Sequence, residues 1–71
     1  MNIEQVTESF NNTCRFGLNE LRNVQNRTDI GDVRKLEYQR SALRRVIEQL
    51  EHLDRDALEL VEELLEQARA S

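Results

Sequence analysis

Residues 36–64, LEYQRSALRRVIEQLEHLDRDALELVEEL, carry a seven-residue apolar repeat that decides the fold of this chain. One heptad position is held by Leu36, Leu43, Leu50, Ala57 and Leu64, and the complementary position by Val46, Leu53 and Leu60. Such a repeat places both sets on one side of a helix and is typical of helices that pair along their length as coiled coils. No proline interrupts it. The repeat therefore predicts an all-α protein and permits one long amphipathic helix.

The continuity of this helix depends on the segment LDRDAL. Asp54 suits an N-cap, while Leu53 and Leu58 suit the hydrophobic staple that accompanies such a cap. After this point the apolar positions also shift, to Leu58, Val61, Leu65 and Ala68. We therefore predict two helices, at about residues 33–52 and 55–69. The alternative is one long C-terminal coiled-coil helix without a break.

The first of these two helices has its own apolar stripe at three- and four-residue steps. The expected buried residues are Val33, Leu36, Leu43, Val46, Ile47 and Leu50.

A further helix is predicted at about residues 3–24, because apolar residues recur there at the same steps. These residues are Ile3, Val6, Phe10, Cys14, Leu21 and Val24. Gly17 stands in the middle of this stripe, where it costs about 1 kcal/mol of helix propensity relative to alanine. A close-packed neighbour would justify it. Residues 25–32 collect Asn, Thr, Asp and Gly, which favour turns and caps, and form the predicted loop.

These elements predict a single small domain at residues 1–71, either a helical hairpin or a three-helix bundle. A core of this size supplies only roughly 3 to 5 kcal/mol of stability. One cysteine cannot make an internal disulfide, and one His with one Cys falls short of a structural zinc set. We therefore expect no metal and no cofactor, and we expect homo-oligomerisation, most simply a homodimer, to complete the fold.

Charge is segregated along the chain. Residues 15–45 hold eight basic and four acidic residues, whereas residues 46–71 hold two basic and eight acidic ones, within a net charge of -4. The N-terminus lacks the basic and apolar regions of a signal peptide, and nowhere do 18 apolar residues run together. We expect a soluble, cytoplasmic protein without membrane association.

The basic excess forms a candidate binding face on the second predicted helix. Arg34, Tyr38 and Arg45 project together, and Arg40 and Arg44 lie nearer the core edge. Guanidinium groups bind phosphates by forked hydrogen bonds and a tyrosine stacks on bases, which is the combination used for single-stranded nucleic acid or nucleotides. A sequence pI near 4.9 opposes nucleic-acid binding, and ion pairs along the helix also account for these residues.

The acidic excess forms a second candidate face near the C-terminus. Glu59, Glu62, Glu63 and Glu66 crowd one side of the predicted helix. Like charges at this spacing cost roughly 0.2 to 0.5 kcal/mol per pair in isolated helices. A basic partner would relieve this cost, whether it is the arginine-rich segment of the same fold, a second copy, or another protein.

No catalytic constellation is evident, because the Ser, Thr and Cys residues have only His52 as a possible base. Cys14 lies in an apolar stripe, where a lone cysteine is usually a small buried hydrophobe. We therefore predict a non-enzymatic helical interaction protein, an adaptor, regulator or inhibitor that binds itself and another protein. The alternative is a phosphate-binding module for nucleic acid or a nucleotide ligand that uses the Arg34, Tyr38 and Arg45 face.

Overall fold

The computed structural model describes residues 1–70 and contains two α-helices. Helix α1 spans Ile3–Gln25 and helix α2 spans Asp32–Ala70. Residues 26–31 join them, and the two helices pack against each other in antiparallel directions. The predicted all-α helical hairpin is confirmed.

Helix α2 continues for 39 residues through the segment that was expected to break it. Asp54 inside a helix costs at most about 0.7 kcal/mol relative to alanine, which is far less than a proline costs. On either side of Asp54, Leu53 and Ala57 are half-buried against α1, so packing supports the helix across this point. The predicted division into helices at 33–52 and 55–69 is therefore wrong, and the alternative with one long C-terminal helix is confirmed.

The ends of α1 are held by specific hydrogen bonds. At its start, the Asn2 backbone N–H donates to Gln5 Oε1 and the Gln5 N–H donates to Asn2 Oδ1, each at 2.9 Å, which forms a capping box. At its end, Lys35 Nζ donates to the Gln25 carbonyl at 3.1 Å. One turn along α2, Gln39 Nε2 donates to the Leu21 carbonyl at 3.2 Å. These bonds from α2 fix the loop end of the hairpin.

The two helices approach each other closely at Gly17. A Cβ atom on Gly17 would lie 2.7 Å from Val46 Cγ2, so α2 occupies the space that any larger residue would need. Ala42, one turn before Val46, is only 3% exposed. The close-packed neighbour expected for Gly17 is therefore present. Small residues on both helices set this short separation.

The stripe that α2 turns toward α1 differs from the predicted one. Of the expected buried residues, only Val46 and Leu50 are half-buried, while Val33 is 71% and Leu36 65% exposed. Cys14 is also exposed rather than buried. The reason is that α2 has a single neighbour in the chain, which covers only a narrow stripe centred on Ala42. The larger apolar side chains lie beside this seam.

The hairpin is one helix layer thick. Its Cα extents are 61 × 17 × 9 Å and its radius of gyration is 17.3 Å, whereas a compact domain of this length has a radius of about 11 Å. The solvent-accessible surface is 6058 Å², whereas a compact folded monomer of this mass exposes about 4,600 Å². The chain alone therefore leaves much of its surface uncovered.

Candidate interaction surfaces

One side of the hairpin is apolar along both helices, and we call it the apolar face. Its centre is a shallow groove of about 220 Å³ between α1 and α2, lined by Cys14, Gly17, Leu18, Leu21, Ala42, Leu43 and Val46. Exposed apolar residues extend the face at helical spacing from this groove: Phe10 on α1, and Leu36, Ile47, Leu58, Val61 and Leu65 on α2. The face thus extends from Leu36 to Leu65 of α2, and the exposed carboxylate of Asp54 interrupts it between Ile47 and Leu58.

The opposite side, which we call the polar face, carries an ion pair between the two helices. Arg45 Nη2 on α2 lies 3.6 Å from Glu20 Oε2 on α1. Phe16 also lies on this side, because it is two residues, or about 200°, away from Leu18 on α1. The polar face therefore includes one large exposed aromatic side chain.

The loop contributes a second ion pair at the end of the polar face. Arg27 forks onto Asp29, with Nε to Oδ1 at 3.0 Å and Nη2 to Oδ2 at 2.6 Å. The hydrogen bond from Arg27 lowers the pKa of the Asp29 carboxyl, and the bond from the Asp29 backbone N–H acts in the same direction. The Arg27 guanidinium carbon also lies 5.6 Å from the centroid of the Tyr38 ring, within cation–π range.

The structure divides the five residues of the predicted basic face between two environments. Tyr38 and Arg45 lie on the polar face, where Arg27 is within cation–π distance of the ring and Glu20 is within ion-pair distance of the guanidinium. Arg40 and Arg44 share a shallow depression with Glu37 and Ser41 on the outer side of α2. The fifth residue, Arg34, is exposed one turn before Tyr38 and therefore lies on the polar face with it.

The four residues of the predicted acidic face do lie together. Glu59, Glu62, Glu63 and Glu66 line one open depression with Leu65 and Arg69. The N-terminal residue Met1 borders a neighbouring depression with Asp56, Glu59 and Glu63. Part of the acidic cluster therefore lies beside Met1.

Sequence reasoning missed Glu20 and Arg27, the two side chains that engage the basic candidates. Neither lies on α2, so no helical spacing within α2 points to them. Asp29, two residues after Arg27 in a turn-forming segment, is the signal that indicates a local ion pair.

Among residues 1–70, no group of three His, Cys, Asp or Glu side chains is placed to hold a metal ion together. His52 lies nine residues after Leu43, which puts it on the opposite side of α2 from the groove that contains Cys14. Neither helix, over the described part of the chain, is long and apolar enough to cross a membrane.

Comparison with known proteins gives no relative for this chain: no family model, no curated protein and no solved structure matches it.

Proposed function

We propose that this protein is a non-enzymatic helical interaction module, an adaptor, regulator or inhibitor that acts by binding other macromolecules through its apolar face. The observation that carries this proposal is the position of its large apolar side chains, most of which lie outside the seam of a one-layer hairpin. Removing apolar surface from water contributes about 25 cal/mol per Å². Covering the apolar face is therefore the largest source of binding free energy that the chain offers.

The shape of the apolar face suits a helical partner. Its central groove lies between two nearly parallel ridges, and the side chains of another helix fit such grooves. The charged residues at its edges would orient a partner and speed its association more than they would raise affinity. We assign the protein to the cytoplasm, where its lone thiol would stay reduced and binding would be non-covalent.

The phosphate-binding alternative depends on arginines that are free to fork onto a phosphate. In this fold Arg45 is engaged by Glu20, and Arg27 stands over the ring of Tyr38 that would have to stack on a base. These contacts favour the protein-binding function. Bound nucleic acid or nucleotide remains an outcome that absorbance at 260 nm would reveal.

The test compares one added lysine on each side of α2. At micromolar concentration, light scattering should give the wild-type chain a mass well above 8.4 kDa. Leu43→Lys places a charge in the apolar groove and should reduce the mass to that of a monomer. Ser41→Lys adds the same charge on the outer surface, 200° around the helix, and should leave the mass unchanged.

The proposal fails if the wild-type chain is a monomer that unfolds cooperatively and stably on its own. Such a chain would need nothing to cover its apolar face. An equal effect of the two lysine variants would also contradict it, because the association would then depend on charge rather than on the apolar face.

A further inference from the structure

Four exposed leucines of α2 are placed symmetrically about the middle of the helix. If α2 is reversed about the point between Leu50 and Glu51, Leu36 falls on Leu65 and Leu43 falls on Leu58. These four side chains are all exposed on the described hairpin. A second α2 running antiparallel would therefore place leucine opposite leucine at these four positions, while Ile47 would be level with Asp54 and Val61 with Arg40.

Helix α1 has the same property about its own midpoint. Cys14 is the central residue of Ile3–Gln25, and Phe10 and Leu18 lie four residues before and after it on the apolar face. In an antiparallel pair of α1 helices centred on Cys14, each Phe10 would face a Leu18. The two ends of this stripe are thus complementary to each other.

The two midpoints lie at nearly the same height in the hairpin. Gly17 is packed against Val46 and the helices are antiparallel, so Cys14 is level with about residue 49 of α2. This is within two residues, or roughly 3 Å, of the α2 midpoint. One two-fold axis therefore suits both helices at once.

The distribution of charge along α2 also favours antiparallel pairing of two α2 helices. Residues 32–50 of α2 carry five basic and three acidic residues, whereas residues 51–70 carry two basic and seven acidic ones. Antiparallel pairing sets the basic half against the acidic half of the other copy, and parallel pairing would set like charges together. In the reversed register, Arg40 is level with Val61 and adjacent to Glu62 of the second copy, at the outer edge of the apolar face.

The area is sufficient for a stable dimer. The chain exposes about 1,400 Å² more than a compact monomer of its mass would. Two chains that cover this excess would together bury more than the roughly 1,200 to 2,000 Å² of a standard specific interface.

We propose that the occupant of the apolar face is a second copy of this chain, stacked so that α1 crosses α1 and α2 crosses α2 in antiparallel directions about a two-fold axis near Cys14 and Leu50. The product is a four-helix bundle with all neighbouring helices antiparallel. This inference rests on the proposed function, since it names the partner of the apolar face.

The α1 part of the test uses the cysteine of the chain. With Cys14 beside the two-fold axis, mild oxidation of the wild-type protein should form a covalent dimer. The control variant Cys14→Ser/Asn12→Cys carries its thiol on the outer side of α1. It should be linked about tenfold less, since a disulfide needs Cα atoms within roughly 7 Å.

The α2 part uses two single-cysteine variants in the Cys14→Ser background, Leu36→Cys and Leu65→Cys. Within one chain these positions are roughly 44 Å apart along the helix, so a bond between them joins two copies. After the two variants are mixed and allowed to exchange subunits, oxidation should give the mixed dimer. Each variant alone should give little covalent dimer.

The outcomes separate this inference from the proposed function. Efficient self-linking of Leu36→Cys would mean parallel α2 helices and would overturn the proposed arrangement while leaving the interaction function intact. A trimer, or a dimer in which Cys14 does not link, would do the same. A wild-type monomer that gains helical structure with a different protein would refute the homodimer only, whereas a stable cooperative monomer would refute both.

Discussion

The two faces of the hairpin differ in what their side chains need. On the polar face, Arg45 pairs with Glu20 and Arg27 pairs with Asp29 within the same chain. Water can hydrogen-bond to the remaining polar atoms of these exposed side chains. On the apolar face, Leu18, Leu43 and their neighbours gain free energy only when they leave water, and one layer of helices cannot remove them from it. A single chain therefore completes its polar face and leaves its apolar face incomplete.

The largest expected change in stability comes from a lysine substitution on the apolar face, and the same substitution on the polar face is its control. Leu18 is 47% exposed and Phe16 is 48% exposed, and both lie on α1. Leu18→Lys should lower the free energy of unfolding by roughly 2 to 4 kcal/mol, because a charge would enter the surface that the proposed dimer covers. Phe16→Lys should change it by less than about 0.5 kcal/mol. Urea unfolding at several protein concentrations measures both.

This pair gives a sharp test because exposure in the single chain is equal at the two positions. Equal losses would mean that the apolar face is no more covered than the polar face. The concentration dependence of unfolding should disappear in Leu18→Lys and persist in Phe16→Lys.

The next effect concerns the seam that separates the two faces. Gly17→Ala gains about 1 kcal/mol of helix propensity but pushes a Cβ against Val46, where overpacking typically costs about 1 to 3 kcal/mol. We expect a net loss of up to about 2 kcal/mol. Gly31→Ala is the control, since no atom lies within 4 Å of its Cβ and its φ is not positive. It should change the free energy of unfolding by less than about 1 kcal/mol, because the gain of about 0.4 to 1 kcal/mol from a less flexible unfolded chain is offset by the poorer N-cap that alanine makes before α2.

The cause of the Gly17→Ala loss can be isolated by a double variant. Val46→Ala removes the methyl group that the new Cβ would meet, so Gly17→Ala should be less harmful in that background. A double-mutant cycle from thermal unfolding gives this coupling. Additive effects would contradict the short contact.

The smallest expected contribution to stability is that of the Asp29 carboxyl, in the loop at the end of the polar face. The pKa of Asp29 is lowered from its ordinary value of 3.8, chiefly by the hydrogen bond from Arg27. A carboxyl whose pKa is lower in the folded state stabilises that state above its unfolded pKa, and the contribution disappears as the pH falls through the folded pKa. An NMR titration of the Asp29 carboxyl should therefore give a midpoint below 3.8 in the wild type and a higher one in Arg27→Gln.

Much of the fold follows from spacing alone. The three- and four-residue steps locate α1 to within one residue of its end, and the Asn, Thr, Asp and Gly cluster locates the loop. The continuity of α2 does not follow, because Asp54 is as acceptable in a helix interior as at a cap when Leu53 and Ala57 are packed on α1. Local sequence does not contain this packing.

The interaction surfaces are less accessible to sequence reasoning. Spacing brings the four glutamates of the acidic face together correctly, but the partners of the basic candidates lie elsewhere in the chain. Which apolar residues of α2 face α1 is decided by the small pair Gly17 and Ala42. Hydrophobic periodicity favours the larger Leu36, Leu43 and Ile47, which the structure places on the apolar face.

The bonds from Lys35 to Gln25 and from Gln39 to Leu21 also bear on the kinetics of the chain. They close loops of 10 and 18 residues, whereas Ile3 and Leu60, which line one depression at the far end, are separated by more than 50 residues along the chain. The entropic cost of closure rises with loop length. The pairing of the two helices should therefore form first at the turn and extend toward the termini. The N-terminal turn of α1 should exchange its amide hydrogens fastest.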